Sequence, residues 1–328
     1  MRAFTYQRTD RIEEAIAAGD AANTKFLAGG TNLLDLMKGD VERPAHLVDI
    51  NRLPLTQVRE LPGGGLRIGA MVRNSDAANH PLVRSRYPLL SQAFLAGASP
   101  QLRNMASIGG NLMQRTRCYY FYDVAFPACN KRQPGTGCAA REGFNRIHAI
   151  FGASERCVAT HPSDMAVALA ALDAVVEMRG PGGLRRLPVS EFHRLPGSTP
   201  ERDTNLQPGE LILAVELPPS RFAEHFHYLK IRDRASYAFA LVSVAAAFAE
   251  NDGVVRDARI VLGGVAHKPW RAEGAERELV GRALDDGSIG AAARAGIEGA
   301  QPLEHNAFKV ELARRAIAAA LHAARGRP

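Results

Sequence analysis

The sequence predicts an α+β protein, with an α/β N-terminal part and a separate C-terminal part of helices and a small antiparallel sheet. Three observations carry this. Short apolar runs alternate with helically spaced segments through the N-terminal part, the pattern of strands packed against helices. The proline-rich LPPS at 217–220 then breaks the chain, because proline fixes φ and removes a backbone donor. Beyond it, two long apolar runs flank Asn251-Asp252-Gly253, a strong hairpin signal.

Taken in order, RIEEAIAAGDAA (11–22) has helical spacing, and KFLAGG (25–30) reads as a strand entering a glycine turn. NLLDLMKG (32–39) follows as a short helix, HLVDIN (46–51) as a strand and LRIGAMV (66–72) as a strand after the turn PGGG. HPLVRSRYPLLSQAFLAGA predicts a helix ending near Gly97, and DMAVALAALDAVVEMRG a helix that runs into a strand. The tail holds two helical patterns, and the second, KVELARRAIAAALHAARG, repeats apolar residues at i, i+3, i+4 and i+7. No internal repeat or low-complexity region interrupts the chain.

Composition narrows the function classes. At 328 residues and 46% hydrophobic content the chain suffices for about two domains with a sizeable core. Lysine plus arginine is 41 and aspartate plus glutamate 34, a net +7 spread thinly along the chain. Nucleic-acid binding needs a concentrated basic stripe, so that class is set aside. The longest apolar run, AFALVSVAAAF (238–248), falls short of a bilayer span, and the N-terminus shows no apolar signal-peptide core. Folding in the cytoplasm is expected.

Two glycine loops stand out. In KFLAGGTNLLDL (25–36) a strand meets Gly29 and Gly30 and then a helix start, so several backbone N–H groups lie uncrowded, the way a loop cradles a pyrophosphate. It matches neither the Rossmann nor the Walker A pattern. The second, Ser107-Ile108-Gly109-Gly110-Asn111, adds the polar side chains of Ser107 and Asn111, suited to phosphate or ribityl oxygens.

All four cysteines, Cys118, Cys129, Cys138 and Cys157, fall in one window, where a reducing compartment favours ligands over disulfides. Four thiolates suit a 4Fe–4S cluster or a structural zinc. Their spacing lacks the C-x2–4-C pair usual for zinc, which disfavours that ion, and four buried thiols without a metal remain a third reading. YYFY (119–122) offers shielding of such a group or simply a small local core, and Lys131 and Arg132 either offset its charge or belong to the solvated surface. His225 and His227 share one face of a strand but lack a third ligand. His161 suits a cofactor contact or a helix start, and His267 and Trp270 a structural role or a subunit contact.

These elements together resemble the FAD-binding subunits of the molybdenum hydroxylases, the family of xanthine dehydrogenase and carbon monoxide dehydrogenase. The family's AGGT-x-L loop is matched at Ala28–Leu33, its (T/S)-x-GGN loop at Ser107–Asn111 and its K-x-x-x-R strand from Lys230, and for its P-x-SD element HPSD supplies Ser163 and Asp164. The resemblance covers about residues 1–325. It implies a two-part FAD-binding region of the VAO/PCMH type (1–55 and 56–218) and a C-terminal α+β domain (222–326). It implies that Phe26, Leu27, Ala28, Gly29, Gly30, Thr31, Asn32, Leu33 and Leu34, with Ser107, Gly109, Gly110 and Asn111, wrap the FAD diphosphate. Asp164, beside Ser163, would hold polar atoms of the flavin or ribityl chain, and Lys230 would favour the anionic reduced ring.

Between the GGN loop and the P-x-SD element this chain carries a long insert, at about 115–158, that contains every cysteine. It is similar to the insert of the FAD subunit of bacterial periplasmic-type aldehyde oxidoreductases, which implies a 4Fe–4S cluster on Cys118, Cys129, Cys138 and Cys157. The same resemblance implies a heterotrimer with a molybdenum-cofactor large subunit and a 2Fe–2S small subunit, no catalytic residue on this chain, and an external electron acceptor. It further implies a periplasmic destination reached through a signal on the partner, with the cytoplasm as the alternative. Two other functions stay open: a stand-alone flavoprotein oxidoreductase of the same VAO-type fold with substrate bound at the flavin, and a zinc-binding docking subunit.

Overall fold

The computed structural model describes residues 1–326 and folds them into three sheets with helices between and around them. The first sheet is parallel, in the order β1 (Thr5–Arg8), β3 (His46–Asp49), β2 (Thr24–Leu27). Parallel neighbours need crossovers, supplied by the helices Ile12–Gly19 and Leu33–Lys38. The strand β1 gives no signal in the sequence: TYQR is exposed along its length and is held by pairing with β3.

The second sheet is antiparallel. Its order is β4 (Val58–Glu60), β5 (Leu66–Gly69), β8 (Leu211–Leu217), β6 (Val175–Gly180), β7 (Gly183–Pro188). LILAVEL is buried at every position of β8, as a central strand covered on both faces must be. The wholly buried helix Asp164–Ala171 packs instead against helix Pro88–Ala96 and against the strands Val242–Asn251 and Val254–Gly263 of the third sheet, its alanines permitting close approach. The helix expected to run unbroken to Gly97 is two, Pro81–Arg86 and Pro88–Ala96, because Pro88 has no N–H to continue the first.

The third sheet runs β12 (Trp270–Arg271), β11 (Val254–Gly263), β10 (Val242–Asn251), β9 (His225–Ile231), all antiparallel. The β10–β11 turn has positive φ at both Asp252 (53°) and Gly253 (70°), the requirement of a two-residue primed turn. Helix Phe308–Arg325 packs on this sheet through Ala313, Ala316, Ile317, Ala320, Leu321 and Ala324, a single stripe at helical spacing.

The cysteine-bearing insert has little regular structure beyond the turn of helix Tyr119–Tyr122 and short bridges such as Cys129 to Cys138. It forms a small core of its own from Phe121, Ala140, Val158, Ala159 and three of the cysteines, with Leu36 of the first glycine segment. It is also sewn to the C-terminal part. Ile150 and Phe151 donate to the Val265 carbonyl at 2.9 and 3.0 Å, and His161 donates to Ala266. The buried Lys309 ammonium donates to the carbonyls of His148 (2.9 Å) and Gly264 (2.5 Å).

Candidate functional site

The two glycine loops meet. A Cβ on Gly29 would stand 2.0 Å from the Met105 carbonyl oxygen, so only glycine lets the first loop pass under the second. Gly30 takes φ 72°, and a side chain there would run into Leu34. Both loops open on a cavity of about 560 Å³ lined by Phe26, Ala28–Leu33, Ser107, Gly109 and Gly110, with Arg115 and the 201–212 segment opposite. Leu27 and Leu34 are not on that wall; they pack about Gly30 instead.

The second loop is a helix start rather than a simple turn. Ile108–Leu112 is helical, and Ser107 is its N-cap, its Oγ accepting from the Gly110 N–H at 3.2 Å. The other first N–H groups of that helix are also taken, Ile108 by the Val72 carbonyl (3.1 Å) and Gly109 by the Ala70 carbonyl (2.8 Å), so the first loop, which leads into the helix at Leu33, is the one that offers N–H groups to an anion in the cavity. Asn32 is occupied elsewhere: its Nδ2 donates to the Tyr122 hydroxyl (3.1 Å) and its Oδ1 accepts from the Arg115 N–H (2.9 Å), tying the loop to the insert.

A network that sequence reading missed holds the loops in place. Asn51 Nδ2 donates to the Ala28 carbonyl at 2.9 Å, and Arg73 donates both to Asn51 Oδ1 (3.1 Å) and to the Met105 carbonyl (2.6 Å). Asp49 in turn accepts from the Asn51 backbone N–H at 2.8 Å, from Arg8 and from the Tyr6 hydroxyl. Burial would raise the Asp49 carboxyl, but the Tyr6 hydroxyl, the two Asn51 donors and Arg8 outweigh it and hold it down at about 2. The clue was the DIN that ends the third strand. Its meaning depended on Arg73 and Met105, remote in sequence.

A second cavity, of about 420 Å³, lies beyond Asn111 and is lined by Ser163, Asp164, His161, Arg117, Tyr122 and Phe239 among others. Ser163 Oγ bridges to Asn111 Oδ1 at 2.7 Å and also caps helix Asp164–Ala171 through the Ala166 N–H. Thus the GGN and P-x-SD elements touch. Asp164 is fully engaged: Lys230 Nζ reaches it at 2.8 Å and the Tyr228 hydroxyl at 2.7 Å. Lys230 also donates to the Ala96 carbonyl, so its charge is spent within the protein.

The insert brings all four thiols to the wall of one small cavity of about 10 Å³, room for a single water at most. Cys118, Cys129 and Cys157 are buried and Cys138 is half-buried. Among the described residues no group of three or more His, Cys, Asp or Glu could hold a single metal ion. Burial pushes the Cys118 thiol up to about 12. A hydrogen bond between Cys138 and Cys157 favours thiolate at the first and thiol at the second. Imidazole nitrogens touch two sulfurs, His148 Nε2 at 3.1 Å from Cys118 Sγ and His267 Nε2 at 3.3 Å from Cys157 Sγ.

Lys131 and Arg132 are not solvated surface. Lys131 is buried and pairs with Asp203 at 2.5 Å, while Arg132 donates to the carbonyls of Tyr120 and Phe121. Arg115 joins Asp203 (2.7 Å) to Glu42 (2.6 Å), and so fastens the insert to both sides of the first cavity. Burial would raise the Asp203 carboxyl, but Lys131 and Arg115 hold it well below the carboxylate range. Of the remaining histidines, His225 stacks on Phe248 at 4.5 Å, and Trp270 stacks on Phe151 at 5.0 Å in the C-terminal core.

Comparison with known proteins agrees with this geometry. Residues 2–220 match the FAD binding domain in molybdopterin dehydrogenase, and residues 226–324 match the CO dehydrogenase flavoprotein C-terminal domain. The chain is 54% identical over 329 residues to the aldehyde oxidoreductase FAD-binding subunit PaoB of Escherichia coli K12, covering 99% of each. It is 30% identical to the carbon monoxide dehydrogenase medium chain of Hydrogenophaga pseudoflava, over 98% of this chain and 96% of that one. A solved carbon monoxide dehydrogenase from Hydrogenophaga pseudoflava superposes with a TM-score of 0.77 at 29% identity, covering 99% of this chain and 98% of that one. The two glycine loops, the Ser163–Asp164 element and the C-terminal sheet are therefore the parts of an oxidoreductase subunit, and the chain belongs to the FAD-binding medium subunits of the molybdenum hydroxylase family.

Proposed function

We propose that this chain is the FAD- and 4Fe–4S-carrying electron-transfer subunit of a molybdenum-dependent aldehyde oxidoreductase. The observation that carries the FAD site is the meeting of two glycine loops at one cavity, locked by the Gly29–Met105 approach. The near-complete, 54% identical match to an aldehyde oxidoreductase subunit supports the choice of aldehyde as substrate. In this reading the aldehyde becomes a carboxylic acid on a molybdenum-bearing partner, and electrons reach this chain through a partner with 2Fe–2S clusters.

Bound FAD supplies the exchange between single electrons and electron pairs. The chain's own residues do the rest. Backbone N–H groups at Gly29–Leu33 bind the diphosphate, while Gly109 and Gly110, without side chains, let it approach the second loop, with Phe26 on the same wall. Ser163 and Asp164 fix the far end of the site, and Asn51 with Arg73 keeps the loops in register.

Cys118, Cys129, Cys138 and Cys157 hold the 4Fe–4S cluster. The donor set supports this: four sulfurs and no carboxylate converge in a buried pocket beside a lysine, a pocket that must open somewhat to admit a cluster. A zinc-binding docking role finds less support, since the thiols do not form a single-ion site among the described residues. On the strength of the same resemblance we place the assembled complex in the periplasm, exported by a signal on its iron–sulfur partner.

The test is purification of the complex from its native host with FAD, iron, acid-labile sulfide and molybdenum counted per complex. One FAD, and four irons beyond those of the 2Fe–2S partner, are expected. Iron equal to the 2Fe–2S clusters alone removes the cluster from this chain, and absence of FAD removes the whole assignment.

A further inference from the structure

The charged side chains lining the 420 Å³ cavity are Arg117, Asp164 and Asp233. Both acids are already matched by cations, Asp164 by Lys230 at 2.8 Å and Asp233 by Arg146 at 3.0 Å. Arg117 has no such match: among the described residues no carboxylate lies within ion-pair distance of it. Its guanidinium donates to the Arg115 carbonyl and reaches the Gln114 side chain at 3.4 Å. It also lies over the rings of Phe239 (4.8 Å) and Tyr122 (5.7 Å), which line the same cavity. One more polar atom there is unspent, the buried His161 Nε2, which has no hydrogen-bond partner.

A half-buried cation without a counter-ion is costly unless its donors are satisfied, as those of Lys309 are by several backbone carbonyls; Arg117 has a single carbonyl and one long amide contact, which leaves guanidinium donors for a ligand. The cavity thus offers aromatic walls, one uncompensated positive charge and one free imidazole nitrogen. That set suits a flat heteroaromatic ring with an electron-rich edge. The reduced flavin is such a ring, since it carries negative charge along its pyrimidine edge. The resemblance gave the task of stabilising that charge to Lys230, but Lys230 is neutralised by Asp164.

We propose that Arg117 is the cation that faces the pyrimidine edge of the flavin and favours its reduced form. This rests on the FAD reading above. Arg117 immediately precedes Cys118, so the insert that carries the thiols also supplies the charge that sets the flavin's potential.

The test compares wild type, Arg117→Gln and Arg117→Lys as purified complexes, with the midpoint potential of bound FAD read by spectroscopic reductive titration. Removing the charge shifts the reduction equilibrium of Arg117→Gln about tenfold toward oxidised flavin, about 30 mV for a two-electron couple, and Arg117→Lys shifts less. An unchanged potential in Arg117→Gln with FAD in place overturns the proposal, because a purely structural arginine stacked on Phe239 would alter melting temperature and leave the potential alone. If Arg117→Gln loses its FAD, riboflavin and AMP are titrated separately against the FAD-stripped full chains. Weaker riboflavin binding with unchanged AMP binding supports the proposal, and equal effects on both overturn it. If Arg117→Gln does not fold, Arg117→Lys decides by the same potential measurement: any downward shift supports, none overturns. A wild-type complex without FAD sinks the underlying reading instead, a result distinct from all of these.

Discussion

Gly29 and Met105 occupy what is nearly one point in space: the hydrogen that glycine carries in place of a Cβ faces the Met105 carbonyl oxygen, where a methyl group would stand 2.0 Å away. Seventy-six residues apart in the chain, they mark where the two glycine loops cross. Gly29→Ala must push the loops apart, and overpacking of this kind costs about 1–3 kcal/mol. We expect the purified variant to keep its fold but lose most of its FAD, read as the flavin-to-protein absorbance ratio and as a lowered melting temperature.

Asn51 and Arg73 act as one brace, so their effects should not add. Asn51→Ala leaves the Ala28 carbonyl without its 2.9 Å donor, and Arg73→Leu does the same to Met105. Each loss is expected to cost about 1–3 kcal/mol and to weaken FAD binding roughly tenfold or more. The double variant should be little worse than either single one. Isothermal titration of FAD against the stripped chains measures all three.

Acid should loosen the same brace. The Asp49 carboxyl is held at about 2, below its unfolded value near 4, so its contribution is complete above about pH 4 and is lost as pH falls toward 2. Urea unfolding at pH 7 and at pH 3 should show a stability gap between wild type and Asp49→Asn that narrows at the lower pH. A gap that stays constant with pH would mean that Asp49 acts through its shape alone.

Lys309 is a test of how the insert is fastened. The buried ammonium donates to backbone carbonyls on both the insert and the strand end at Gly264, with no carboxylate in the arrangement. Lys309→Met fills the same space and leaves the Gly264 carbonyl without this donor, while the His148 carbonyl keeps only Asn306 Nδ2 at 3.1 Å, at a cost of about 1–3 kcal/mol. Hydrogen exchange should rise around residues 147–151 and 264–266 while the N-terminal sheets stay protected.

The thiols and the FAD should be separable. Cys138→Ala removes the most exposed of the four sulfurs without touching either glycine loop. The expected outcome is iron and acid-labile sulfide reduced by one 4Fe–4S equivalent with flavin content unchanged, by elemental and spectroscopic counting.

Much of this was legible in the chain because its cues are local. The glycine pairs, the hairpin at Asp252-Gly253 and the stripe on helix Phe308–Arg325 each need only their neighbours to be read. What sequence could not reveal was pairing across distance. TYQR forms a strand only because His46–Asp49 lies beside it, and Asp49, Asn51 and Arg73 look ordinary until folding aligns them with Ala28 and Met105. Charge partners were hidden for the same reason. Lys131, for which solvated surface was one of two readings, is buried against Asp203, and Lys230, which the resemblance set beside the flavin, also pairs with Asp164. The break at Pro88 was visible, but the strong apolar spacing on both sides of it suggested one helix.

The stitching of the insert to Gly264, Val265, Ala266, Gln301, Asn306 and Lys309 has a consequence for how the molecule comes into being. A chain grown only as far as Gly263 already holds all four sulfurs but lacks His267, whose ring touches Cys157, and Lys309, which pins the insert by its carbonyls. The insert therefore gains its final anchors last, when the C-terminal helix docks, and a chain truncated before Phe308 would leave that flank of the insert unfastened.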